Sequence, residues 1–438
     1  MKRALTLCLA SLFSAAAWSA DLVQIYRDAL ANDARYAAAR AQHEAGQERV
    51  VQARAGLLPS LGASASTSWN DAEAKTATGS VERRYNSNGY GVQLTQPVFR
   101  WQNWVQYKQG ELQTLLADSQ FELARQDLIL RVAEAYFNVL NAQDALDAVV
   151  QLRTAAAEQL ELAKKSFEVG TVTITDVHEA QSRFDLASAQ EIAARNELDV
   201  QRQSLARIIG AEPAPLAGLR PGVALQRPTP DNIADWVSAA EQGSYGVQLQ
   251  QLGREIAVRE IERTGAGHLP TLDLVASHGL NNRPAISSER SESTMIGLQL
   301  NVPLYQGGAI SSAQREAAAL KLKADADLDD ARRSAALAAR QSYLGVTSGL
   351  AQIRALEAAR VSSTSALEAN KLGYEVGVRI NIDVLNAQTQ LADTLRQLAR
   401  ARYDTLLAQL RLKAAAGTLG EDDVAAINAL LSESAADR

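Results

Sequence analysis

Two short stretches carry the acids best placed to act on a charged solute. The first runs from Phe167-Glu168-Val169-Gly170 through Asp176-Val177. The second, 207 positions later throughout, runs from Tyr374-Glu375-Val376-Gly377 through Asp383-Val384. In each, an aromatic precedes Glu-Val-Gly, and an Asp-Val beyond the glycine opens a new apolar rhythm. That pattern predicts a tight turn between two helices. Two roles suit Asp176 and Asp383. An Asp at a helix start accepts a backbone N–H bond, and Glu179, three residues after Asp176, fits a capping box. If copies of one turn meet around an axis, the same carboxylates form a charged ring. The two roles are compatible, because a capping carboxylate can still face a lumen. Arg379 has no basic counterpart, since position 172 is valine. It either pairs with an acid on a neighbouring turn or stays solvated. An exposed pair is worth ~0–1 kcal/mol, a weak link that suits a joint that must open.

Catalytic patterns are scarce. His43, His178, His268 and His278 are scattered without metal-ligand spacing, and no phosphate loop or nucleophile elbow is present. The single cysteine, Cys8, sits inside the N-terminal apolar run, so the mature chain is expected to lack disulfide, thiol nucleophile and acyl anchor. No cofactor or metal is expected, and an exported enzyme is the least favoured class. Lys2-Arg3, the apolar run to about Ala17 and small residues before Asp21 read as a signal peptide, residues 1–20. Cleavage is placed after Ala20, with Ala17 as the alternative. Losing Lys2 and Arg3 makes the chain more acidic than the formal −6 of the full sequence, which gives no case for nucleic acid.

The elements that hold the two turns follow from the duplication. The same offset carries Tyr136 onto Tyr343 and Gly210 onto Gly417, so the chain is a tandem repeat. Residues 21–210 form the first repeat, 211–230 a Pro-rich linker, 231–417 the second repeat and 418–438 a tail with one short helix. No proline lies between Pro97 and Pro213 or after Pro303, as very long helices require. Gln102–Glu168 is predicted as one helix of about 67 residues, roughly 100 Å at 1.5 Å rise. It returns from Asp176 to Gly210. Ala309–Glu375 and Asp383–Ala416 repeat the hairpin. Leu128, Val132, Ala135, Val139, Ala142, Leu146 and Val149 step by four and three, a coiled-coil seam of small residues. Glu191 and Gln201 interrupt the seam of the return helix.

Single helices are expected over Asp21–Gly56 and Asp231–Arg263, each stopping before a proline. Beyond each proline the period changes to two. Leu61 to Trp69, Tyr90 to Leu94, Leu272 to Ala276 and Ile296 to Val302 give four strands with one apolar and one polar face. Long polar loops are expected at Asn70–Asn88 and Gly279–Thr294. Trp69, Tyr90 and Trp101 suit either an aromatic girdle or ordinary packing. Four strands cannot close a membrane barrel, whose smallest members have about 8. Either other parts of the chain cover the apolar face or the sheet closes with copies of itself; the adjoining helices lead away, which favours copies. A non-conducting periplasmic coiled-coil scaffold or adaptor is the alternative class, but it leaves the strands without a role.

Several local pieces then match a known family together: Leu57-Leu58-Pro59-Ser60-Leu61, Ala135-Tyr136-Phe137-Asn138-Val139-Leu140-Asn141, Thr175-Asp176-Val177, His268-Leu269-Pro270-Thr271-Leu272, Pro303-Leu304-Tyr305-Gln306-Gly307-Gly308 and Ala416-Gly417-Thr418-Leu419. With them the chain resembles the TolC family of outer-membrane efflux and secretion channels over nearly all of its mature length. The resemblance implies a mainly α fold with a small β part: helical hairpins joined into an α-barrel, and a homotrimer whose four strands per chain close a twelve-stranded transmembrane β-barrel. It implies a passive exit duct in the outer membrane, with a tunnel extending into the periplasm. Its partners would be outer-membrane lipid, a periplasmic adaptor (membrane fusion protein) and an inner-membrane ABC, RND or MFS transporter. In the family a gate network joins one turn to the other, and the matching residues are Tyr374 and Arg379 against Thr175 and Asp176. The family's periplasmic constriction carries two acid rings. Asp383 matches the first, but Asn386 stands at the second, so one full acid ring and a weaker cation preference are implied.

Overall fold

The computed structural model describes residues 20–76, 79–285 and 289–432. Apart from Ala20, the signal-peptide reading lies outside these residues. The chain runs α1 (Leu22–Asn32), α2 (Ala34–Ala55), β1 (Ser60–Thr76), β2 (Gly79–Phe99), α3 (Trp101–Glu168) and α4 (Ile174–Ile209). It continues α5 (Ile233–Gly243), α6 (Tyr245–Gly265), β3 (Thr271–Asn282), β4 (Arg290–Asn301), α7 (Ala309–Glu375), α8 (Asn381–Ala415) and α9 (Glu421–Asn428). α3 spans 68 residues and α7 spans 67. No helix among the described residues is long and apolar enough to cross a membrane.

Two compact units are present. One contains Arg40–Glu122 and Tyr245–Arg332. Its four strands form an antiparallel sheet in the order β1-β2-β3-β4. β1 and β2 pair in continuous register from Ser60 opposite Thr95 to Thr76 opposite Gly79. The polar loop expected at Asn70–Asn88 is therefore mostly strand. Backbone ladders need no apolar side chains, and here cross-strand polar pairs hold the register: Asp71 with Arg84 at 2.9 Å, and the Asn86 amide donating to Thr67 Oγ1 at 2.9 Å. The second expected loop shortens likewise, since β3 runs to Asn282 and β4 starts at Arg290.

β2 ends in a register shift at Pro97, where a proline cannot donate to the ladder. Beyond it Arg100 grips Asp273 of β3 through two bonds, Nε to Oδ1 at 2.8 Å and Nη2 to Oδ2 at 2.5 Å. The Asp273 side chain is nearly buried. This pair fixes the strand-to-helix junction. After β4, Gly307 and Gly308 take φ of 60° and 82° before α7 begins, a backbone change that a side chain would oppose.

The other unit comprises the described parts of Met1–Ala39, Leu123–Ser244 and Arg333–Arg438. Its core lies where α1 and α9 cover α3, α4 and α8. Leu22, Ile25, Leu128, Tyr136, Leu205, Leu406 and Leu410 are fully buried in it. Tyr136 directs its hydroxyl to the Ala217 carbonyl at 2.6 Å, tying the linker to α3. Tyr343, its counterpart one repeat later, donates to Asp231 Oδ1 at 2.8 Å and is only half-buried.

The helix expected over Asp21–Gly56 is broken at Asp33, and the one over Asp231–Arg263 at Ser244. The break at Asp33 carries no proline or glycine, so the periodic pattern ran through it; the one at Ser244 lies between Gly243 and Gly246, a signal that the sequence reading passed over. Asp33 caps α2 by accepting the Tyr36 N–H at 2.7 Å and takes two bonds from Arg131 at 2.8 and 3.0 Å. The Arg131 guanidinium, and then the Tyr36 amide, hold its carboxyl below the usual carboxylate range against the opposing effect of burial.

Candidate functional site

Both turns share one backbone. Gly170 and Gly377 each have φ 77°, and each donates its N–H three residues back, to Phe167 and Tyr374. Thr171 N–H reaches the Ser166 carbonyl, and Val378 N–H reaches that of Gly373, both at 2.9 Å. A left-handed residue closing a long helix this way leaves its last carbonyls satisfied. Seam residues hold the hairpin below the turns: Leu160, Ala163, Ala180 and Leu385 are buried together, with Val177 and Phe184 against them.

Side chains separate the turns. α4 is capped by Thr173, not by Asp176. Asp176 is the third helical residue and completes the box from inside. Its Oδ2 accepts the Thr173 N–H and the Thr173 hydroxyl, both at 2.8 Å. Glu179, given that role in the sequence reading, is one turn too far along and exposed. The cause is a helix that starts two residues earlier than expected, at Ile174. α8 has Ile380 at the cap position, so no side chain caps it. Asp383 also lies at the third helical position instead of the cap. Its Oδ2 lies 3.6 Å from Arg379 Nη1.

The four residues matched to the gate network are not joined within one chain. Among the described residues, no hydrogen bond or ion pair links Tyr374 or Arg379 to Thr175 or Asp176. Thr175 is exposed and Tyr374 is half-buried. Arg379 lies over Gly373, where an added Cβ would sit 2.7 Å from Arg379 Cγ. The first turn has Ser166 at that position and Val172 in place of the arginine, a difference that comparing the repeats could have exposed.

Asn386 is exposed, and its Oδ1 accepts a bond from Arg183 Nη2 at 3.0 Å, crossing from α4 to α8. Sequence reading missed Arg183, because no local spacing links positions so far apart. Just inside α8, Asn381 and Gln388 are buried, and both polar atoms of Asn381 and the Gln388 side-chain oxygen have no hydrogen-bond partner among the described residues. Each such group costs ~1–3 kcal/mol. Farther along α4, the seam-breaking Glu191 is buried between Arg195 at 2.5 Å and Arg153 of α3 at 3.0 Å. Its charge is thus paired across the hairpin. Among the described residues no group of His, Cys, Asp and Glu could hold a metal ion.

Comparison with known proteins fits this architecture. The family model for outer membrane efflux proteins matches the chain twice, at residues 25–211 and 236–418. Outer membrane protein TolC of Vibrio cholerae is 35% identical over 421 residues, covering 95% of each chain. The alkaline protease secretion protein AprF of Pseudomonas aeruginosa is 36% identical, with 93% of this chain and 86% of that one covered. Among solved structures, the Campylobacter jejuni CmeC outer membrane channel superposes with a TM-score of 0.80 at 17% identity, covering 93% of this chain and 89% of the other. The chain belongs to the outer membrane efflux protein family, the TolC-like channels of the outer membrane.

Proposed function

We propose that three copies of this outer-membrane efflux or secretion channel close their sheets into one twelve-stranded barrel and join their helical hairpins into a periplasmic tunnel. The observation that carries this reading is the uncovered sheet. Among the described residues β1 and β4 each pair on one side only. Every residue of β4 is exposed, Ile296 at 75%, and Leu61 and Trp69 of β1 stand at 72% and 84%. An apolar face with two open edges is untenable in water and suited to lipid once closed. The apolar alternation from Leu61 to Trp69 covers nine residues, about 30 Å at ~3.4 Å each, near the height of an outer-membrane apolar band.

The duct is passive. An inner-membrane ABC, RND or MFS transporter supplies energy, and a periplasmic adaptor couples the two. The turns at 167–177 and 374–384 form the periplasmic end. In the closed tunnel Tyr374 and Arg379 of one turn engage Thr175 and Asp176 of a turn in an adjoining hairpin, and opening untwists the hairpins there. The unpartnered amide of Asn381 and the unpartnered Gln388 Oε1 support this, because buried polar atoms without bonds lower the cost of repacking α8. Asp383 lines the constriction as one acid ring, with Asn386 one helical turn beyond it. Ion-current recording in planar bilayers tests the reading. Asp383→Asn should reduce cation preference while leaving a conducting pore. A pore whose selectivity ignores Asp383 would remove that residue from the lumen.

A further inference from the structure

We propose that Arg183 is a specificity-determining residue of the periplasmic constriction, a basic ring that offsets Asp383 and lets small anions pass. This deepens the constriction reading above and rests on it. The contact is direct. Arg183 Nη2 donates to Asn386 Oδ1 at 3.0 Å, so the guanidinium of α4 is held against the constriction residue of α8. Glu179, one helical turn before Arg183, is within ordinary i,i+4 reach, yet among the described residues no ion pair joins the two and the guanidinium turns to the neutral amide. Asp185 lies two residues on, about 200° round the helix, and its Oδ1 accepts from Gln181.

The neighbouring acids are also engaged. Asp176 is bound to Thr173, and Asp383 lies 3.6 Å from Arg379. The level that holds Asn386 therefore presents a cation on a neutral support. A carboxylate at 386 would be met by Arg183 at salt-bridge distance, so an aspartate there would not by itself create a free second acid ring. At about 6 Å in water, one unit charge changes local ion concentration about threefold, and the copies in an assembled pore act together.

The test measures reversal potential across a KCl gradient in planar bilayers, for the full channel and four variants. Arg183→Gln, which keeps an amide able to reach Asn386, removes a charge that acts on the two ions in opposite senses and should raise the potassium-over-chloride preference about tenfold. Arg183→Lys should keep the parent preference. Asn386→Asp, whose carboxylate would cancel the Arg183 charge, should raise it about as much as Arg183→Gln does. The double variant Arg183→Gln/Asn386→Asp should raise it most. If the double variant matches Asn386→Asp alone, or if Lys behaves as Gln, the basic ring is overturned while the constriction stands. If no change at 386 or 183 moves the potential in a conducting pore, the constriction reading fails and the inference fails with it.

Discussion

The two turns have the same backbone but satisfy their helix starts differently. The first is self-contained. Thr173 and Asp176 satisfy each other's backbone groups, and one carboxylate oxygen, Oδ2, takes both bonds within the turn. The second is open. Ile380 offers no capping oxygen, Arg379 and Asp383 are joined only by an exposed 3.6 Å pair, and the Asn381 amide and Gln388 Oε1 are buried with no hydrogen bond among the described residues. Duplication supplied one fold twice, and side-chain divergence left the second copy the looser. The proposed gate would use that asymmetry, one hairpin holding its shape while the other repacks.

The comparison can be broken by variants that reverse it. The largest effect is expected from Tyr374→Phe with Arg379→Ser, which removes the groups proposed to engage Thr175 and Asp176 of the adjoining hairpin. Conductance in a lipid bilayer should rise severalfold, and an unchanged conductance would take the gate away from these residues. The next concerns the paired tyrosines. Tyr136→Phe leaves the Ala217 carbonyl without its buried bond and should cost ~1–2 kcal/mol, whereas Tyr343→Phe, whose bond to Asp231 is solvent-exposed, should cost clearly less. Equal losses in denaturant titrations of the two variants would contradict the different settings of the two tyrosines.

Capping comes next. Thr173→Ala should destabilise the first turn by ~1 kcal/mol, and Ile380→Thr should stabilise the second by a similar amount. Hydrogen exchange at the first amides of α4 and α8 would show faster opening in one and slower in the other. The smallest effect is that of acid. Because Asp33 has a depressed carboxyl pKa when folded, its contribution is present above the unfolded carboxylate value near ~3.9 and is lost as pH falls through the lower folded value. The break between α1 and α2 should loosen in that range. The break at Ser244, which has no acid, should not, as proteolysis at each site would reveal.

Much of this was legible in the sequence because the signals were local or periodic. Proline-free stretches marked α3 and α7, and Gly170 and Gly377 marked the turns. Alternation marked the apolar part of each strand. The extensions of β1 and β2 past Trp69 carry polar residues on both faces, so period two vanished although the backbone ladder continues. The break at Asp33 was hidden because Asn32-Asp33 lacks proline or glycine. Thr173 was passed over for Asp176 because both residue types cap helices and only the helix start decides between them. Arg183 with Asn386, and Arg100 with Asp273, are tertiary pairs that no window along the chain contains.

The account depends most on the sheet being completed by other copies of the same chain. Light scattering of the detergent-extracted protein, with the detergent's share subtracted, measures this directly. The mass of three chains is the predicted result. The mass of one chain, stable in solution without detergent, would contradict the account.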